Sequence, residues 1–400
     1  MRVCIVYDCL FPYTIGGGER WYRDLAERLA REGHDVTYLT LRQWERHERA
    51  QVAGVRVVSV GPRMALYTPD GRRRILPPLV FGAGVLAHLL RHGRRYQVLD
   101  TSAFPYFSLL AAALARPLGG FELVVDWFEV WSDSYWREYL GPVGGAIGAF
   151  VQRLCARVPQ RAFCISELHA ERLREEGLKG QVTVLRGLYA GAGAARDGEL
   201  PAVPAARVTD TADARPDEPL VLFAGRLIPE KHVTLAVAAI ALAAKRIDGL
   251  HGMICGDGPE RALLDAAIAE HGVGEIVSAP GFVDGERLAA DMDRAMCMLL
   301  TSRREGYGLV VVEAAAHGTP SVVVAGEDNA ATELIVEGVN GTVAPSADPP
   351  AVAEAIERVH QGGRALREST ARWFAENAER LSLESSLQTV LASYARQPSS

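Results

Sequence analysis

The chain has 400 residues, of which 48% are apolar and 23% charged, so it is long enough for two α/β domains of roughly 150–200 residues each and is neither disordered nor fibrous. A formal net charge of −6 excludes the broadly basic surface that nucleic acid needs as a partner and leaves only local cationic patches to consider. The six cysteines, Cys4, Cys9, Cys155, Cys164, Cys255 and Cys297, form no C-x-x-C pair and have no His-rich neighbour, so reduced core thiols and a cytoplasmic compartment are expected.

Val3–Tyr7 reads as a buried strand meeting an acid at Asp8, too short an apolar run for a signal peptide. Glu19–Arg31 follows as an amphipathic helix, and Val36–Thr40 and Val55–Val60 as strands. Between positions 56 and 95 stand eight arginines and a single acid, Asp70, around the apolar segment Ile75–Leu90. Pro77, Pro78 and His88 keep that segment short of the roughly 18 apolar residues that a membrane span needs. Its basic flanks suit either peripheral contact with an anionic membrane or an internal helix with solvated ends. Further apolar runs at Leu123–Asp126, Arg161–Ile165 and Val182–Leu185 complete an alternation of strand and helix that predicts a parallel, doubly wound sheet over residues 1–190.

Residues 191–218, rich in Ala, Gly, Pro, Asp and Thr without apolar period, have the composition of a linker. The alternation restarts at Leu220–Ala224 and runs through Gly252–Cys255, Ile276–Ala279 and Met298–Thr301 to Ser321–Val324, with helices between, predicting a second domain of the same class over 219–374. The tail reads as consecutive helices, and its last part, about 375–400, is expected to pack back on the first domain.

Ligands of open parallel sheets bind beyond the carboxyl ends of the strands, so the turns there hold the candidate chemistry. Gly16, Gly17 and Gly18 precede Glu19 at a helix start, where backbone amides can approach an anion or a sugar, though a flexible loop would read the same. The turn Gly225-Arg226-Leu-Ile-Pro-Glu230-Lys231 sets two cations five residues apart, suited to clamping a diphosphate. Gly256-Asp-Gly-Pro again joins glycines to a helix start and doubles as a tight turn. The segment from Ser302 to Gly318 is the most informative: Glu305 precedes Gly306-Tyr307-Gly308, Leu309 opens a helix, and Glu313 lies within it. Amides of Gly308 and Leu309 suit phosphate, while Glu305 and Glu313 suit hydroxyls at the sugar and ribose ends of one ligand.

On these residues the chain resembles the family-4 retaining glycosyltransferases of GT-B architecture, over most of its length. Glu305…Glu313 matches the family's E-x7-E signature, Phe223-Ala-Gly-Arg226…Glu230-Lys231 its donor-clamping segment, and Gly256-Asp-Gly-Pro259 and Pro320 stand where similar residues are placed. The resemblance implies two Rossmann-like domains and transfer from a nucleotide diphosphate sugar, UDP-sugar ahead of GDP-sugar, with retention and without a metal ion. The nucleotide sugar is then a co-substrate, and no cofactor is implied. It further implies that Arg226 and Lys231 hold the diphosphate, that Glu305 contacts the transferred sugar, and that Glu313 binds ribose. Gly225, Gly256, Val283, Tyr307, Gly308 and Leu309 would complete the donor site, base contacts lying around Gly281-Phe282-Val283, with Gly16 to Gly18 reaching it from the first domain.

Two departures stand out. Phe128 occupies a place where the family commonly has a His directed at the sugar, and Leu185-Arg186-Gly187 replaces a Pro-Asn-Gly turn. Trp127, Phe128, Glu129 and Trp131, with Tyr135, Trp136 and Tyr139 nearby, form an aromatic cluster in the domain assigned to the acceptor, which the resemblance leaves open as a glycan, a lipid-linked or a small-molecule acceptor. Half of these rings would serve equally well as core. A catalytically silent GT-B protein that binds nucleotide or a partner transferase is the alternative supported by Phe128. A GT-B sugar-nucleotide epimerase would need an acid/base set at a sugar carbon, and none is evident. Oligomeric state is not encoded in any of these motifs.

Overall fold

The structure is a computed structural model, and it describes residues 1–14, 16–45, 47–66, 68, 73–191 and 219–394. Two compact units divide the chain, Met1–Leu185 with Leu387–Ser400, and Arg186–Ser386. The expected linker, Gly191 excepted, lies outside the described residues, as do Asp70 and Arg72 of the arginine-rich stretch.

The first unit runs β1 (Arg2–Val6), α1 (Gly17–Arg31), β2 (Asp35–Leu41), β3 (Val55–Gly61), α2 (Leu76–His92), β4 (Val98–Ser102), α3 (Phe107–Gly119), β5 (Glu122–Trp127), α4 (Asp133–Ala156), β6 (Gln160–Cys164), α5 (Glu167–Glu175) and β7 (Gly180–Val184). Its seven strands are all parallel in the order β3-β2-β1-β4-β5-β6-β7. On one side, alternate residues such as Cys4, Val6, Leu123, Val125 and Trp127 join the inner faces of α2 to α5 in a single apolar cluster. Pro77 and Pro78 sit in the first turn of α2, where a missing N–H leaves no bond unmade, so the prolines that shorten the apolar run also start the helix.

The second unit comprises β8 (Leu220–Ala224), α6 (Val233–Ala243), β9 (His251–Cys255), α7 (Arg261–Glu270), β10 (Val277–Gly281), α8 (Gly285–Arg294), β11 (Cys297–Leu300), β12 (Arg304–Glu305), α9 (Leu309–Ala316), β13 (Ser321–Val324), β14 (Asp328–Asn329), β15 (Gly341–Ala344) and α10 (Pro349–Leu381). Its six-stranded parallel sheet has the order β10-β9-β8-β11-β13-β15, and β12 and β14 form a separate parallel pair. The last helix, α11 (Leu383–Tyr394), carries the chain into the first unit from Leu387 onward. Both sheets are doubly wound: strand order reverses between β1 and β4 in the first and between β8 and β11 in the second.

Inside the first unit, Asp100 and Asp126 are among the buried carboxyl groups. Asp126 accepts from Trp21 Nε1 at 2.8 Å, and Asp100 accepts from the hydroxyl of Tyr394 on α11. Burial raises Asp126 to about 7, and burial reinforced by the charge of Asp126 holds Asp100 well above the ordinary range. An unfolded Asp titrates near 4 and folded Asp126 near 7, so the folded state carries the extra proton between those values, and stability falls as pH rises through that window. Asp126→Asn keeps an acceptor for Trp21 and removes the titration. Its melting temperature should therefore gain on the wild type between about pH 4 and about pH 7. A gap that stays constant across that range would rule this account out.

Candidate functional site

The most organised constellation stands at the switch point of the second sheet. β8 and β11 are neighbours there, with Val221 beside Cys297 and Leu222 beside Met298, so the turns beyond them emerge side by side. The ammonium of Lys231, from the first turn, makes an ion pair and hydrogen bond with Oε1 of Glu305, from the second. Ser302 Oγ donates to the same oxygen at 2.7 Å, and Thr301 Oγ1 donates to the Lys231 carbonyl at 2.9 Å. Glu305 belongs to β12, held in register with Asn329 of β14, and Asn329 Nδ2 donates to the carbonyls of Ser302 at 3.0 Å and Val324 at 2.8 Å. Lys231 and Glu305 retain 22% and 13% side-chain exposure, so the pair is braced from behind and open on one side.

Glycines set how closely the neighbouring turns approach. The parallel ladder of β8 and β9 continues past both strands through Gly225 N to Cys255 O at 3.0 Å and Leu227 N to Asp257 O at 2.9 Å. Gly256 has φ 141°, and a Cβ there would stand 1.8 Å from the Gly225 carbonyl oxygen. Only glycine fits, because of both the backbone angle and the contact. Arg226 projects from this turn as an exposed side chain, whereas Lys231 turns toward Glu305.

The loop into α9 is equally constrained. Gly308, at φ 93°, caps the helix, and a Cβ on it would meet Ala331 at 2.5 Å. Leu309 is 36% exposed, and Glu313 is half-buried four residues later on the same helical face. Tyr307 differs from the sequence expectation. Its side chain is buried and its hydroxyl donates to the Arg186 carbonyl at 2.6 Å, while burial pushes the phenol up, so the ring braces the loop instead of presenting a polar group to ligand. Val283 is half-buried against the apolar cluster of Leu220, Leu222 and Met298, beside Phe282, which is 81% exposed.

In the first unit, the glycines and the aromatic cluster meet in part. Gly18 packs so closely that a Cβ would lie 2.7 Å from the Tyr7 hydroxyl and 3.5 Å from the Phe128 ring, and Phe128 sets its edge on Tyr22. Glu19 is buried and folds back over Gly16, its Oε2 2.3 Å from where a Cβ would stand. A carboxylate thus already occupies this helix N-terminus, which disfavours an anionic ligand there and suits a hydroxyl-bearing one.

Two acceptor candidates need correcting. Trp127 is fully buried and donates through Nε1 to Gln160 at 2.8 Å, which makes it core. Trp131 is 8% exposed, packed among Phe104, Tyr135, Trp136 and Tyr139, with its Nε1 donating to Glu129 Oε2 at 2.7 Å. Phe128 and Glu129 remain half-buried at the strand end. The sequence reading missed Asn329 and did not single out Ser302, which lay in plain view three residues before Glu305. Asn329 had no local signal, because its role depends on the long-range pairing of β12 with β14.

Two family models match, glycosyl transferase 4-like domain over residues 16–187 and glycosyl transferases group 1 over 210–380, together spanning most of the chain. Among curated proteins, similarity extends to alpha-D-kanosaminyltransferase of Streptomyces kanamyceticus, 33% identical over 143 residues, 36% of each chain. It also extends to a GDP-mannose-dependent alpha-(1-6)-phosphatidylinositol monomannoside mannosyltransferase of Mycolicibacterium smegmatis, 31% identical over 147 residues, 35% of this chain and 38% of the other. The matched stretch is thus little more than a third of the length of these relatives. Among solved structures, the fold is similar to that of sucrose-phosphate synthase from Thermosynechococcus elongatus, with TM-score 0.74, 19% identity and 98% of each chain covered. It is similar also to Anabaena HepE in complex with UDP, with TM-score 0.70, 18% identity, and 98% of this chain and 99% of the other covered.

Proposed function

We propose, for a chain that belongs to the glycosyltransferases of GT-B type, that it transfers a sugar from a nucleotide diphosphate donor, UDP-sugar ahead of GDP-sugar, with retention of configuration and without a metal ion. The acceptor class is a glycan, a lipid-linked or a small-molecule hydroxyl compound. The observation that carries the reading is the Lys231–Glu305 pair, standing at a sheet switch point among turns that glycines hold closely packed. In that reading the Lys231 ammonium and the Arg226 guanidinium neutralise charge as it gathers on the departing diphosphate. Glu305, shared between Lys231 and Ser302, keeps the ammonium oriented before donor arrives and accepts from the sugar hydroxyls. The acceptor proton passes to the leaving phosphate oxygen, so no protein nucleophile enters.

A nucleotide screen tests this before any acceptor is known. One nucleoside diphosphate family, UDP first among GDP, ADP and TDP, should raise the melting temperature by mass action. Glu313→Ala should abolish most of that shift through loss of the ribose contact, while Lys231→Ala should reduce it less. No shift with any nucleotide would turn the assignment toward a silent GT-B protein. Phe128, an apolar ring packed on Gly18 and Tyr22, is the observation that favours this second reading. Restoring a His there and regaining donor turnover would identify it as the lesion.

A further inference from the structure

α4 is two helical segments joined at Gly141, whose φ of 76° and ψ of 177° break the run, with Pro142 starting the second. The first segment folds back so that Trp136 lies on the second: a Cβ on Gly148 would stand 2.3 Å from its ring, and its Nε1 donates to Gln152 at 3.2 Å. The inner face of residues 142–156 is thereby buried through Gly145, Gly148, Ala149, Gln152, Cys155 and Ala156. Its outer face carries Val143, Ile147, Phe150 and Leu154, exposed by 75%, 60%, 65% and 46%. Spacings of 4, 3 and 4 residues align these four in one stripe, about 16 Å long at the α-helical rise. A helix apolar on both faces belongs in a core or against a partner, and this one turns its larger side chains to solvent.

The adjoining helices extend the surface. α3 exposes Leu114 and Leu118 by 69% and 58%, and α2 exposes Leu76 and Leu90 by 61% and 53%. All three helices bury their other faces in the same apolar cluster, so they share one side of the first sheet. α3 is tied to the α4 region by Tyr106, whose hydroxyl donates to Gln152 at 2.9 Å, and by Arg116, which donates to the Pro159 carbonyl at 2.6 Å. Scattered exposed leucines need no explanation, but a stripe of four with leucines beside it does.

Charge distinguishes the occupants. Residues 76–92, 107–119 and 142–156 contain no Asp or Glu, while Arg91 and Arg116 lie on them and Arg94, Arg95 and Arg157 follow them. Arg153 is shared with Asp133 and Glu176, and Arg137 and Glu138 on the first segment of α4 offset each other. An apolar face without acids and rimmed by arginines is complementary to an anionic bilayer surface. Two copies joined through the stripe would instead bring like charges together, with no carboxylate on residues 76–92, 107–119 or 142–156 between them.

We propose that the outer side of α2, α3 and α4 docks on an anionic lipid membrane, seating Val143, Ile147, Phe150 and Leu154 at the acyl boundary with the arginines at phosphate level. The test is co-sedimentation of the full chain with vesicles of phosphatidylglycerol and phosphatidylcholine, against phosphatidylcholine alone, at low and high salt. The expected result is binding to the anionic vesicles that salt weakens, with little to the neutral ones. The exposed double substitution Ile147→Glu with Phe150→Glu should leave the melting temperature unchanged and lower vesicle partition about tenfold or more. Leu114→Glu with Leu118→Glu, on the neighbouring helix, should lower it independently. Wild-type protein that fails to sediment, or binding that neither double variant reduces, overturns the proposal. So does a solution dimer, dissociated by Ile147→Glu with Phe150→Glu, in protein that does not bind vesicles, since the stripe would then belong to a second copy. Docking needs no turnover, so these outcomes are independent of the donor site in the second unit.

Discussion

Lys231→Ala should lower the turnover number by about 100-fold or more, the scale of losing one preorganised charge contact to a developing anion. The loss is expected in kcat more than in KM, because the diphosphate gains charge as the sugar leaves and the ammonium interacts most strongly at that point. Folding should be nearly untouched. The pair is part-exposed, and in the variant Glu305 still accepts from Ser302 Oγ at 2.7 Å and faces solvent on its open side. The measurement is release of nucleoside diphosphate from the donor identified by thermal shift, with the melting temperature recorded beside it. Turnover that survives the substitution would show that the chemistry lies elsewhere.

Gly256→Ala has the largest expected structural effect. A Cβ at this position would stand 1.8 Å from the Gly225 carbonyl oxygen, on a backbone with φ 141° that L side chains rarely adopt. Relief requires the turn after β9 to move away from the turn after β8, breaking the bond from Gly225 N to Cys255 O and the one from Leu227 N to Asp257 O. Backbone strain alone is of order 1–3 kcal/mol, and the displaced ladder adds to it. A fall in melting temperature on the order of 10 °C follows for a unit of this size. Donor affinity should fall with it, because Arg226 and Lys231 ride on the displaced turn. Gly285→Ala is the matched control, since a Cβ there meets nothing within 4 Å. Equal melting temperatures for the two variants would contradict the close approach of these turns.

Most of the sheet strands and the chemistry-bearing turns were legible because both are local, although β4 (Val98–Ser102) and β15 (Gly341–Ala344) were not among the expected strands. Val36–Thr40 was expected as strand and β2 spans Asp35–Leu41; Leu220–Ala224 was expected and β8 has the same bounds. Runs of β-branched residues bounded by turn glycines carry that information without reference to neighbours. The cations at 226 and 231 and the acids at 305 and 313 were likewise visible as residue types in a pattern. The fate of the aromatic cluster was not visible. Strands of a parallel sheet are covered on both faces, so nothing in the run Leu123–Trp127 separates a core Trp127 from a ligand-facing one. The bend at Gly141 and the exposure of Ile147 and Phe150 beyond it were equally hidden, because exposure depends on what packs against a helix as well as on its own period.

By itself the sequence determined the class of the protein: two doubly wound parallel domains, and a second domain whose strand-end turns carry glycines, paired cations and paired acids. Local periodicity and motif spacing suffice for that, since each is written within a few consecutive residues. Only the tertiary structure decided which cation meets which acid. Lys231 reaches Glu305, 74 residues away, because β8 and β11 lie side by side, and Asn329 steadies that acid because β14 pairs with β12. Strand order is set by how whole helices and strands pack across the sheet, and that long-range competition leaves no trace in the spacing of any one motif.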